Sequence, residues 1–156
     1  MMKKKSLLLV GLLFSAGVMA SDADLISVQD PYVRQAPPNA PATGAFMVIK
    51  NNGDKDVKIL KADNSASKVT ELHTHLNEGG VMKMRPVPFV EVKAKGEAVL
   101  KPGGLHVMLI DLKAPMKEGD VVPITLSFDD GSTKQVDAKV VRPMAAPMPA
   151  AMEHKH

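Results

Sequence analysis

Val69-Thr70-Glu71-Leu72-His73-Thr74-His75-Leu76-Asn77-Glu78-Gly79-Gly80-Val81-Met82-Lys83-Met84-Arg85 reads as two β-strands joined by a turn. Strand-type runs at Val69–His75 and Val81–Arg85 flank Asn77 to Gly80, a stretch rich in turn formers. The same grammar extends outward in both directions. Further candidate strands are Ile26–Arg34, Gly44–Lys50, Val57–Ala62, Phe89–Val92, Ala98–Lys101, Leu105–Leu112, Val121–Phe128 and Lys134–Val141. Turn signals such as Asn51-Asn52-Gly53, Pro102-Gly103-Gly104, Glu118-Gly119-Asp120 and Asp129-Asp130-Gly131 separate them. No segment holds a 3.6-residue period and no internal repeat is present. Many short strands with regular turns predict an all-β sandwich or barrel.

The ends of the chain read differently. Residues 1–20 have the form of a secretory signal: Lys3, Lys4 and Lys5, an apolar stretch from Leu7 to Val18, then a small-residue cleavage site at Val18-Met19-Ala20. The apolar stretch is shorter than the roughly 20 residues that span a bilayer, and no cysteine follows it to carry a lipid. The expected organisation is a signal at 1–20, a sandwich domain at 21–142 and a flexible tail at 143–156. In the tail Met144, Met148 and Met152 recur every fourth residue, but Pro147 and Pro149 oppose a helix there. Loss of the signal removes three of the 20 basic residues and none of the 17 acidic ones. The mature chain is then formally neutral, so the basic character of the whole gives no argument for nucleic acid or anionic lipid.

Composition narrows the chemistry. Cysteine is absent, so the core holds without disulfides and no soft-metal site can use thiolate. Aromatic residues make up 3% of the chain, too few for a surface that works by stacking on bases or sugars. Methionine is abundant, with 11 in all, of which Met1, Met2 and Met19 belong to the signal.

The five histidines fall in two places: His73, His75 and His106 in strands, His154 and His156 in the tail. Met82, Met84 and Met108 stand near the first group. Alternation places His73 with His75, Met82 with Met84, and His106 with Met108 on common strand faces. If Leu76 pairs with Val81, His73 lies opposite Met84 and His75 opposite Met82, with Cβ atoms about 4.5–5.5 Å apart. Thioether and imidazole together favour Cu(I), whereas zinc wants thiolate, imidazole or carboxylate and calcium or magnesium wants oxygen. Thioether also has no proton to lose near neutral pH. A lone His-x-Met is more often a packed methionine beside a surface histidine, and Met47 and Met116 are read in that way, as core and loop residues. His75 and Met82 rank below His73 and Met84, as neighbours of the site or surface residues.

The spacing resembles that of the PCuAC family of periplasmic Cu(I) chaperones. His73 is followed by ten residues and Met84, then by twenty-one residues and His106-Val107-Met108. The surrounding Gly80-Val81-Met82-Lys83-Met84-Arg85-Pro86-Val87 text is similar too, and the resemblance covers roughly residues 25–141. It implies a cupredoxin-like β-sandwich with one Cu(I) held by His73, Met84, His106 and Met108. It further implies delivery to an acceptor such as the CuA centre in subunit II of cytochrome c oxidase, beside a Sco-type thiol protein. The tail departs from that signature: it reads either as a second copper site, Cu(II) included, or as a solvated end.

Two other functions compete with a carrier. Copper storage or sequestration would use the same ligands. A copper redox enzyme commonly uses a His₂Cys arrangement or an open coordination position, and no cysteine, HExxH or nucleophile-elbow motif is present. The expectation is therefore a non-enzymatic periplasmic carrier with no nucleic-acid partner and no stable membrane anchor.

Overall fold

The computed structural model describes residues 17–143. The first sixteen residues of the expected signal, and Met144, Met148, Met152, His154 and His156 of the expected tail, lie outside them. One short helix, α1 (Asp22–Leu25), precedes ten strands. These are β1 (Ile26–Arg34), β2 (Ala42–Asn51), β3 (Val57–Asn64), β4 (Ser67–Glu78), β5 (Val81–Pro86), β6 (Val90–Val92), β7 (Glu97–Leu100), β8 (His106–Leu112), β9 (Val121–Phe128) and β10 (Thr133–Val141). Each of the ten candidate strands is present, and β1 and β9 have the expected bounds. The helix was not anticipated. At four residues it is too short to show a period, and Ser21 and Asp24 cap it reciprocally. Among the described residues no helix is long and apolar enough to cross a membrane.

The strands form one open sheet in the order β5-β4-β8-β2-β1-β10-β9-β3-β6, with β7 added on β2. β3 and β4 lie far apart along that path yet touch, because the sheet folds over into two layers. β2 serves both sides of the fold: Ala42 to Ala45 pair with β8, and Met47 to Lys50 pair with β7. The core between the layers is aliphatic, with Val33, Ile49, Val57, Val107, Leu109, Ile124 and Val140 fully buried. Met47 is buried in it, and Met116 is buried in the loop between β8 and β9.

Two local features turn this scaffold toward the site. In β1 an extra residue enters the ladder between Gln29 and Tyr32, where Asp30 takes a left-handed φ of 49° ahead of Pro31. Such a bulge reverses which side of the strand faces the core. Ile26 points inward before it and Val33 after it, so Tyr32 and Arg34 turn to the outer face.

The second feature is the β4–β5 hairpin, whose register corrects the expected one. Glu78, not Leu76, pairs with Val81, and the turn is Gly79-Gly80 alone. Both glycines have positive φ, 63° and 82°, the type I′ geometry whose twist matches that of the flanking strands. Asn77 Oδ1 accepts from Gly80 N at 2.9 Å, and Glu78 pairs with Lys83 at 3.0 Å and Arg85 at 3.2 Å. A two-residue slip preserves faces and changes partners. His75 is therefore opposite Met84, Asn77 opposite Met82, and His73 opposite Pro86.

Gly80→Val should lower stability in urea unfolding by about 1–2 kcal/mol, since a branched side chain resists left-handed backbone. Gly79→Asn, which tolerates that region, should change it by less than about 0.5 kcal/mol. Equal small effects would contradict the two-glycine turn.

Candidate metal centre

β4 runs between β5 and β8, and period-two alternation sorts its side chains. Leu72 faces the core, as do Val107 and Leu109 of β8. Glu71, His73 and His75 therefore face outward, together with Met82 and Met84 of β5 and His106 and Met108 of β8. Across the β4–β8 ladder His73 is opposite His106 and Glu71 is opposite Met108. His73 is thus the central residue: it faces His106 directly and lies diagonal to both Met84 and Met108. Diagonal neighbours on a sheet are about 7–8 Å apart, within reach of long side chains. The spacing of ten and twenty-one residues sets Met84, the His73–His106 pair and Met108 at successive levels across three adjacent strands.

A hollow of about 240 Å³ opens on this face, and His75, Met84, His106 and Met108 are among its lining residues. Three larger hollows, of about 660, 750 and 260 Å³, contain no histidine. Met84 is 43% exposed and His106 only 3%, so the hollow is walled by imidazole on the inside and by a thioether at its rim. Met82 is exposed and lies outside the lining.

The floor is aromatic. Phe46 interrupts the alternation of β2 and is buried on the outer face. Its ring centroid lies 6.1 Å from that of His106 and 5.2 Å from that of Tyr32, and the Arg34 guanidinium caps it at 5.3 Å. Gly44 makes room for the ring: a Cβ there would approach Phe46 Cζ to 2.9 Å. The sequence reading missed Phe46, Tyr32, Arg34 and Gly44. Their one available signal was that so few aromatics include two placed on adjacent strands.

Hydrogen bonds decide which ring nitrogens are free. His106 Nδ1 is 3.0 Å from the carbonyl oxygen of Gly104. A carbonyl only accepts, so Nδ1 carries the proton and Nε2 keeps its lone pair. Burial pushes the His106 pKa below its ordinary value; His75, His73 and Arg34 act in the same direction, against the Gly104 bond. The ring is held neutral and ready to donate electrons. His73 has the reverse arrangement. Its Nε2 lies 2.6 Å from Glu71 Oε2, and its Nδ1 is buried without any partner. In the neutral ring Nε2–H donates to the carboxylate and the Nδ1 lone pair is orphaned, as in a ligand awaiting its ion.

These donors fit a soft monovalent cation. Among the described residues no three His, Cys, Asp or Glu side chains converge closely enough to hold an ion by themselves, so the thioethers are needed to complete a shell. Neutral imidazoles and thioethers leave the charge of the ion uncompensated, and Glu71 stands beside His73 to balance it.

Comparison with known proteins places the fold. A sequence profile described as putative lipoprotein, LpqE-like, matches residues 26–140. A putative lipoprotein of Leifsonia xyli, Lxx21020, is 33% identical over 127 residues, which are 81% of this chain and 75% of the relative. The chain belongs to this PCuAC-type family. The Cu(I)-bound solution structure of DR1885 from Deinococcus radiodurans is similar with a TM-score of 0.63 at 33% identity, over 83% of this chain and 85% of that one. A copper-bound PCuAC domain from PmoF2 matches at 18% identity with a TM-score of 0.65, over 76% of this chain and 94% of that one. The fold is accordingly the cupredoxin-like β-sandwich of PCuAC domains.

At pH 7.5, long-range ¹H–¹⁵N spectra of the metal-free protein should show His106 protonated on Nδ1 and His73 on Nε2. Glu71→Ala should remove the preference at His73 alone. The same tautomer in both rings would contradict the assigned hydrogen bonds.

Proposed function

We propose that the protein is a periplasmic copper carrier that holds one Cu(I) as cargo among His73, Met84, His106 and Met108 and passes it to another protein. The observation that carries this reading is the convergence of two thioethers with a neutral imidazole whose Nε2 is free, around one open hollow. His73, central in the register and with an orphaned Nδ1, supplies the second nitrogen. Soft thioether selects Cu(I) over the harder divalent ions. The Cu(I)-bound state of DR1885, a relative of similar fold at 33% identity, supports copper as the ion.

The arrangement suits transport better than catalysis. Every donor is neutral and no thiolate is available, so the ion is held by ligands that exchange without a proton change. Met84 stands at the rim, where an incoming ligand of an acceptor can replace it. We take the acceptor to be the CuA centre of cytochrome c oxidase subunit II, reached with or without a Sco-type thiol protein. The basic and apolar start of the chain and the lipoprotein-like relatives support export.

X-ray absorption on the Cu(I)-loaded chain ending at Arg142 should give a first shell of two nitrogen and two sulfur atoms; a shell without sulfur would sink the assignment. Met84→Leu and Met108→Leu conserve volume, so each should change folding stability by less than about 1.5 kcal/mol. Each should weaken Cu(I) binding at least tenfold, about 1.4 kcal/mol or more. Stability loss with unchanged affinity would make these methionines packing residues instead.

We also propose that Met144, Met148, Met152, His154 and His156 capture further copper, the histidines chiefly as Cu(II). If cleavage follows Ala20, the new amino terminus Ser21-Asp22-Ala23 offers no rival site, because it lacks a third-position histidine. Truncation after Arg142 should lower Cu(II) uptake and leave Cu(I) stoichiometry at one; equal Cu(II) uptake by both forms would dismiss this site.

A further inference from the structure

The carrier reading uses His73 and leaves His75 without a role, yet His75, and not His73, is among the residues that line the hollow. His75 lines the hollow with Met84 and His106, and it is the residue directly opposite Met84. Its ring centroid is 5.2 Å from that of His106, against 5.9 Å for His73. Two imidazoles sharing one ion in tetrahedral geometry, with metal–nitrogen bonds of about 2.0–2.1 Å, have ring centroids about 5 Å apart. The His75–His106 pair already meets that requirement.

The hydrogen bonds agree. His75 Nδ1 turns to the Gly104 carbonyl oxygen at 3.4 Å, the same oxygen that receives His106 Nδ1 at 3.0 Å. Because that oxygen can only accept, both rings point protonated Nδ1 atoms at one anchor and keep both Nε2 lone pairs for an ion. A carbonyl or carboxylate on the remote nitrogen is the usual support of a metal-ligating histidine. His73 has the same kind of support on its other nitrogen, from Glu71 on Nε2, and keeps Nδ1 open.

Along β4, His75 stands level with Met84, His73 level with His106 and Glu71 level with Met108. His75, Met84 and His106 make a three-donor set at the hairpin end of the hollow, and Met108 lines the same hollow at its far end. His73, Met84, His106 and Met108 make the four-donor set, and the two share Met84 and His106.

We infer that His75 is a copper ligand of a second, outer station, at which Cu(I) is held by His75, Met84 and His106 on its way into or out of the four-donor site. This rests on the carrier reading. Passage between stations exchanges His75 for His73 and Met108 while His106 and Met84 stay bound, so the ion never loses all its ligands. No oxidation or proton transfer accompanies the exchange.

The test uses the full chain with Cu(I) supplied anaerobically, and compares His73→Ala, His75→Ala and the double variant. His73→Ala should keep two nitrogens in the X-ray absorption shell, because the outer station remains. The double variant should keep one and bind at least tenfold more weakly than His73→Ala. His75→Ala should retain the wild-type shell and an affinity within about threefold, yet surrender Cu(I) to a chelating dye at least tenfold more slowly. A single nitrogen in His73→Ala, or a wild-type transfer rate in His75→Ala, would overturn the outer station. Tail histidines are controlled by repeating the measurement on the chain ending at Arg142. Absence of sulfur from the wild-type shell is a separate result, and it would remove the carrier reading itself.

Discussion

Everything at the outer face depends on the register among β5, β4 and β8. Antiparallel pairing lets one strand present a ligand every second residue while the residues between hold the core. Leu72, Val107 and Leu109 fill the interior from the same strands that carry His73, His106 and Met108 outward. The site therefore adds no polar group to the core and needs no disulfide to hold it. It does need the strands to stay in step. A slip of one residue would turn every donor inward and every core aliphatic outward, at a cost the aliphatic core opposes. A slip of two would keep the faces and scramble the partners, and against that the core gives no protection. The Gly79-Gly80 turn and the Glu78 ion pairs guard against this second error.

That distinction explains what could be read in the sequence. Strand positions were legible because alternation and turn residues are local, and all ten runs are strands in the structure. The expected pairing of Leu76 with Val81 was not reliable for the same reason: faces follow from period two, but partners follow from turn length. Asn77 and Glu78 look like loop residues in composition and instead extend the strands, since two positive-φ glycines suffice to reverse the chain. The spacing of His73, Met84, His106 and Met108 was legible as a whole. The roles of their neighbours were not. Glu71 binds His73 only because a strand side chain can reach the residue two positions on along the same face, and Gly104 anchors two histidines only because the β7–β8 loop folds back over them.

The aromatic floor was also hidden from sequence, though its logic is physical. An outward-facing ligand cluster on a flat sheet would be hydrated and mobile. Burying Phe46 on that face, under Arg34 and beside Tyr32, gives His106 a rigid apolar support and removes water from one side. The bulge at Asp30 and Pro31 is what brings Tyr32 and Arg34 to that side. Desolvation then keeps His106 neutral, so the ring presents a lone pair where a solvated histidine would present a proton.

A carrier must reconcile firm holding with release, and the asymmetry of this face offers both. The inner wall is fixed: His106 is buried, hydrogen-bonded and packed on Phe46. The outer wall is loose: Met84 is nearly half exposed on β5, an edge strand with no neighbour beyond it among the described residues. Methionine has three rotatable side-chain bonds and no charge, so its withdrawal costs the site little and leaves no unpaired polar group behind. His106, by contrast, cannot leave without breaking its Gly104 bond and its aromatic contacts. An ion on this face is thus anchored on the β8 side and exchangeable on the β5 side. Under the carrier proposal, an acceptor reaches the ion along the edge of the hairpin, where Met84 is exposed.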